Sequence, residues 1–112
     1  MYAMIRHYEF DPKDGDMIDR VAVEKFLPAL KRTKGFVRYD WINNGNGEGA
    51  SFSVFQDKET AEASLRIAEN FTALYLSGVR ITSPAVIGGN LVVHTLSGPT
   101  AVVGGISGPK SA

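Results

Sequence analysis

The sequence predicts an α+β domain of element order βαββαβ, with two helices on one face of a four-stranded antiparallel sheet. Three observations carry this. Strand-like runs open the chain and flank a glycine-rich stretch, "NNGNGEG" at 43–49; two longer segments repeat apolar residues at helical spacing; each of these segments lies between strand-like runs. Strand–helix–strand crossovers are nearly always right-handed, which puts both helices on the same face.

Residues 2–10, "YAMIRHYEF", mix β-branched, aromatic and alternating polar side chains and predict the first strand. "DPKDGD" supplies turn chemistry, with Asp16 as N-cap and Asp19 three residues on as a weak capping box. From Met17 to about Lys34, Ile18, Ala22, Phe26 and Leu30 recur at helical spacing. Lys31, Arg32 and Lys34 suit the C-terminal end of the dipole, and Gly35 suits the position after it. Pro28 removes a backbone donor inside this run and predicts a kink, or a helix in two pieces.

"GFVRYDWI" and "ASFSVFQ" predict strands two and three, with the glycine stretch between them. A phosphate-binding loop would lead from a strand into a helix, and here the glycines lead into another strand-like run. Asn-Gly pairs tolerate the positive φ of tight hairpins, so the stretch predicts a hairpin. Asp57 caps a second helix over about Lys58 to Ser77, with a stripe of Ala61, Leu65, Ala68, Phe71 or Thr72, and Tyr75, ended by Gly78. "VRITSPAVIGGN" is expected to be a connection and "LVVHTL" the fourth strand. The result is the ferredoxin-like plan. The domain is expected to span 1–97, followed by a Gly/Pro/Ser-rich tail over 98–112. That tail is either a mobile end or a strap of Ala101 to Ile106 against a partner subunit, with the last few residues disordered.

At 112 residues there is one domain with room for a core. Basic and acidic residues balance at 12 each, so charge gives no reason to expect nucleic acid or an anionic membrane as partner. The absence of cysteine excludes disulfides, thiolate metal sites and a cysteine nucleophile. The first residues carry charge within their apolar run and read as a strand, not a signal peptide, and no apolar run has the ~18 residues of a membrane span. The expectation is a cytoplasmic protein.

A sheet covered on one face should alternate to polar residues on the other. Here Met4, Tyr8 and Phe10 oppose Ala3 and Ile5; Val37, Tyr39 and Trp41 oppose Phe36 and Ile42; Phe52 and Val54 oppose Phe55. Both faces are apolar, which predicts a homodimer packed through the sheet under C2 symmetry. With "GFVRYDWI" after the first helix and "FSVFQDKETAEAS" leading into the second, the chain resembles the dimeric α/β barrel proteins. More narrowly, over about residues 2–95 it resembles the antibiotic biosynthesis monooxygenases, closest to small bacterial members of unassigned function.

That resemblance implies one of three possibilities: cofactor-independent oxygenation of a small aromatic, heme degradation, or the position of those members that have no known reaction. Its heme-degrading members use an Asn on strand one with a Trp and a His on the second helix. The second helix here has neither, and Arg6 or His7 stands where the Asn would be. For oxygenation without a cofactor, His7 and His94 are the candidate catalytic groups. Arg6, Tyr8, Tyr39, Trp41, Phe71 and Tyr75 are the candidate ligand contacts, around a pocket between sheet and helices. On a strand, aromatics such as Tyr39 and Trp41 are more often core or dimer-interface residues than ligand walls, and Arg6 either pairs with a carboxylate or anchors an anionic group. His7 and His94, expected on neighbouring strands, share with Glu9 the composition of a two-His-one-carboxylate iron site, but ordinary strand histidines explain them and no metal is expected. Glu59, Glu62, Arg66 and Glu69 read as the solvated face of the second helix. The alternative to an enzyme is a module that binds a small ligand or only dimerises.

Overall fold

Alternating side chains over Tyr2–Phe10 form β1, and the computed structural model places this strand at the centre of the sheet. The helical segment that follows starts earlier than expected. Asp11, not Asp16, accepts a hydrogen bond from the Lys13 backbone N–H (3.0 Å), opening a 3-10 turn over Pro12–Asp14 that runs into α1 (Gly15–Val21). Pro12, at the first helical position, has no N–H to leave unsatisfied, which favours the earlier start.

Pro28 divides the helix, as expected, through a wide turn. Ala22–Phe26 is a π-helical segment in which the Leu27 N–H reaches back five residues to the Ala22 carbonyl. The chain then resumes as α2 (Leu27–Lys31) with Pro28 in its first turn, where the missing donor costs nothing. Gly35, at φ 91°, turns the chain into β2 (Phe36–Asn43). The Asn-Gly stretch is a hairpin between β2 and β3 (Glu48–Phe55). Gly45 and Gly47 take positive φ, and the Asn43 and Asn44 side chains accept from the backbone N–H groups of Gly45 and Asn46. Asp57 caps α3 (Lys58–Tyr75) by accepting from the Thr60 N–H at 2.8 Å. Leu76, not Gly78, closes that helix.

The fourth strand lies elsewhere than expected. β4 is Ile81–Asn90, the segment read as a connection, and it pairs antiparallel with β1 from Ile81 opposite Phe10 to Asn90 opposite Tyr2. Pro84 argues locally against a strand. β4 is an edge strand, however, and its register with β1 shifts between His7 and Glu9, beside Ser83 and Pro84, where a missing donor is tolerated. The "LVVHTL" segment instead contributes β5 (Val93–Thr95), which pairs with β6 (Thr100–Val102) in a separate two-stranded sheet. The structure describes residues 1–95 and 100–102, with backbone alone at 83–85 and 100–102. Of the expected strap, Ala101 and Val102 belong to β6; the rest of it and the chain end fall outside the described residues.

The main sheet has the order β2–β3–β1–β4, antiparallel throughout, with the helices on one face. This is the ferredoxin-like arrangement. The core on the helix side forms two clusters. One holds Met4, Leu30, Phe55 and Ala61, all at most 3% exposed; the other holds Phe10, Ile18 and Leu76. The opposite phase of the sheet carries Ile5, Ile42 and Ile87, which are 45%, 62% and 68% exposed.

Candidate functional site

The gap between the two core clusters is the candidate site. Small residues make it: Ala22 in the π-helical turn and Ala68 and Thr72 on α3 leave space that larger side chains would fill. Along the sheet, Tyr8, Tyr39 and Trp41 floor a cleft that Phe26 and Phe71 wall from the helices. The space open to the centres of water-sized spheres is about 60 Å³, against ~10–15 Å³ needed for one water on the same measure. The rings brace one another edge to face, with Tyr8–Trp41 centroids 5.5 Å apart, Phe26–Tyr39 5.2 Å and Phe26–Phe71 6.1 Å.

Tyr8, Phe26 and Tyr39 also border a smaller inner chamber of about 10 Å³, room for roughly one water. Its other walls include Arg6 and the buried hydroxyls of Ser51, Ser53 and Ser64. Register explains the grouping: Arg6 stands opposite Ser51, and Met4 opposite Ser53, on adjacent strands of one phase. The Arg6 guanidinium carbon lies 5.1 Å from the Tyr8 ring centre, a cation–π contact. Burial drives the Tyr39 phenol well above its ordinary value of 10.0; neighbouring Tyr8 adds to the rise and Arg6 opposes it. Tyr39 is therefore a neutral hydrogen-bonding group at neutral pH.

At the other end of the cleft Trp41 is fixed by α1. Its indole Nε1–H donates to Asp19 Oδ1 at 2.7 Å, and Asn43 Nδ2 donates to the same carboxylate at 3.0 Å. Gly49 leaves room for the indole, because a Cβ there would lie 2.5 Å from Trp41 Cη2.

The structure thus brings Tyr8, Tyr39, Trp41 and Phe71 together around the cleft and puts Arg6 in the chamber beside it. Tyr75 does not line it. One helical turn beyond Phe71, it is 42% exposed, stacked on Phe71 at 5.4 Å with the Lys25 ammonium 5.3 Å over its ring. His7 occupies the opposite phase, on the open face, where Nε2 meets Glu48 Oε2 at 3.0 Å. His94 lies in β5, off the main sheet, so the two histidines are not neighbours. Among the described residues no three His, Asp or Glu side chains form a metal-binding group. The serines, Asp19 and Asn43 were missed by sequence reasoning. Ser51 and Ser53 share the phase of Phe55 and could have been read as a polar patch on a buried face, whereas nothing in the spacing of Asp19 points to Trp41.

No family model and no curated protein matches the sequence. Solved structures do. The chain superposes on a putative antibiotic biosynthesis monooxygenase from Chloroflexus aurantiacus at a TM-score of 0.65 and 16% identity, covering 87% of this chain and 98% of that one. The fold is that of the antibiotic biosynthesis monooxygenases. Similar to it as well is SnoaB, a cofactor-independent oxygenase from Streptomyces nogalater (TM-score 0.59, 17% identity, covering 87% and 97%). A protein of unknown function from Nitrosomonas europaea is similar at a TM-score of 0.67 and 16% identity, covering 87% and 94%. No helix among the described residues is long and apolar enough to cross a membrane.

Proposed function

We propose that this protein binds a small planar aromatic molecule in the cleft and oxygenates it without a cofactor, as a homodimer joined through the open face of the sheet. The observation that carries the reading is the cleft itself: apolar, walled by the rings of Tyr8, Tyr39, Trp41, Phe26 and Phe71, and edged by a polar chamber. The fold shared with SnoaB supports the reaction class. For an anthrone-type substrate, two C–H bonds of a ring methylene break and a C=O forms with one atom of O₂. The other oxygen atom leaves as water, and the substrate supplies all four electrons. The protein's part is to hold the ring, favour loss of its acidic proton and keep bulk water away. The exposed isoleucines of the open face support the dimer, since a second copy would bury them.

One observation favours the second reading, a binding module without turnover. Among the described residues that line the cleft and chamber there is no His, Asp, Glu or Lys to act as base, and burial keeps the Tyr39 phenol protonated. Oxygen uptake with a panel of anthrones and quinols, run beside calorimetric titration of the same compounds, separates the two. Uptake of one O₂ per quinone formed supports the oxygenase; binding without uptake supports the module. Neither binding nor uptake would sink both.

A further inference from the structure

The hairpin between β2 and β3 holds two asparagines that each precede a glycine, Asn44–Gly45 and Asn46–Gly47. The backbone nitrogen of the next residue can attack an asparagine side chain at its amide carbon, and glycine eases the approach because it has no Cβ in the way. The two pairs have the same sequence and differ in what holds them. From the hydrogen bonding of this hairpin we infer that Asn46 is a self-modification site, converted to aspartate and isoaspartate, and that Asn44 is spared. The Gly47 nitrogen gives its proton to solvent base and bonds to Asn46 Cγ; the amide C–N bond of the side chain breaks and its nitrogen leaves as ammonia. Water then opens the cyclic imide at either carbonyl. The sum is asparagine plus water giving an acid plus ammonia, with nothing oxidised or reduced.

Hydrogen bonds separate the two pairs. Asn44 Oδ1 accepts from the backbone N–H groups of Asn46 and Glu48, at 2.7 and 3.2 Å, so its amide is held within the turn. The nitrogen that would attack it is engaged as well, since the Gly45 N–H donates to Asn43 Oδ1 at 2.8 Å. Cyclisation at Asn44 must break all of these, which should slow it by about tenfold or more. Asn46 differs on both counts. It is exposed, its side chain makes no hydrogen bond among the described residues, and the Gly47 N–H donates to none of them. Gly47 also sets the consequence. Its carbonyl accepts from the Phe10 N–H at 2.9 Å, and an added Cβ would lie 2.7 Å from the Phe10 carbonyl oxygen, so the joint has no spare room. Isoaspartate routes the main chain through the former side chain and lengthens it by one carbon beside this joint. Phe10 packs with Ile18 and Leu76, and its ring centre lies 6.5 Å from that of Trp41. Isoaspartate should therefore disturb Trp41 at the rim of the cleft, whereas aspartate, which keeps the main chain, should not.

The test needs only the full chain and no ligand. Folded protein and protein in denaturant are held side by side at mildly alkaline pH. Trypsin then releases the peptide 39–58, in which fragmentation mass spectrometry locates each new acid. In the folded chain Asn46 should convert about tenfold faster than Asn44; in denaturant, where the hydrogen bonds are gone, the two should convert at similar rates. Asn46→Gln, whose longer side chain closes a less favourable ring, should remove the conversion of the folded protein. The isoaspartyl form, once separated by chromatography, should show shifted Trp41 emission, and Asn46→Asp should keep the emission of fresh protein. Equal rates at Asn44 and Asn46 in the folded chain overturn the inference, as does a folded Asn46 that stays intact while the denatured one converts. Emission unshifted in the isoaspartyl form, or shifted as far by Asn46→Asp, overturns the link to Trp41.

Discussion

Trp41 and Asp19, twenty-two positions apart in sequence, are joined by a 2.7 Å hydrogen bond that ties α1 to the second strand at the rim of the cleft. The same carboxylate accepts from Asn43, so one acidic side chain holds two donors of β2. Asp19→Ala leaves both donors without this acceptor in a half-buried position. A loss of about 1.5–3 kcal/mol is expected in denaturant unfolding, with a change in Trp41 emission. Asp19→Asn keeps one acceptor oxygen and should lose less than half as much. Equal losses in the two variants would show that packing, not the shared acceptor, matters here.

Gly49 is expected to be intolerant for a reason unrelated to turn geometry. An added Cβ would stand 2.5 Å from Trp41 Cη2 and 3.0 Å from the Ile42 carbonyl oxygen, so the indole must move. Gly49→Ala should cost about 1–3 kcal/mol by overpacking and weaken binding of any ligand that stacks on Trp41. Gly45, with nothing within 4 Å of an added Cβ, is the control. Gly45→Ala should leave the emission of Trp41 unchanged and cost only backbone strain at φ 77°.

Alkaline titration should find the Tyr39 phenol ionising above its ordinary range. Burial raises the Tyr39 phenol above its ordinary 10.0, so above that pH the unfolded chain releases a proton that the folded one keeps. The folded state binds more protons, and stability falls as pH rises from about 10 toward the folded value. Below pH 10 the effect is absent. Tyr39→Phe should flatten this decline when unfolding midpoints are compared at pH 8 and pH 11. An identical decline in the variant would assign it to other groups.

The open face should decide the state of association. Light scattering at micromolar concentration is expected to give about twice 12.1 kDa. Ile42→Glu and Ile87→Lys place charge at positions 62% and 68% exposed in the single chain and should each shift the protein toward monomer, with little cost to the fold itself. A folded monomer for the unaltered protein at that concentration would remove the homodimer from the proposed function.

Local chemistry determined much of the chain. The alternation of Tyr2–Phe10, the Asn-Gly hairpin, the Asp57 cap and the division of the helix at Pro28 each depend on residues a few positions apart, and each was legible in the sequence. The fourth strand was not, because what makes Ile81–Asn90 a strand is a row of backbone hydrogen bonds to β1, more than seventy residues away for Glu9 and Thr82. Its own Pro84 and glycines argue locally against that state. Likewise the sequence showed apolar residues in both phases of the sheet but could not say which phase met the helices. A period of two is symmetric to the choice of face until the strands are paired in register. Only that pairing set Tyr8, Tyr39 and Trp41 toward the cleft, Arg6 toward the chamber beside it and His7 away from both, while His94 stands on a strand outside the sheet of β1. The cleft itself is a negative feature, the space left where Ala22, Ala68 and Thr72 face three aromatic rings across two layers. Such a space exists only once separate elements have been packed together, and no single stretch of the chain contains it.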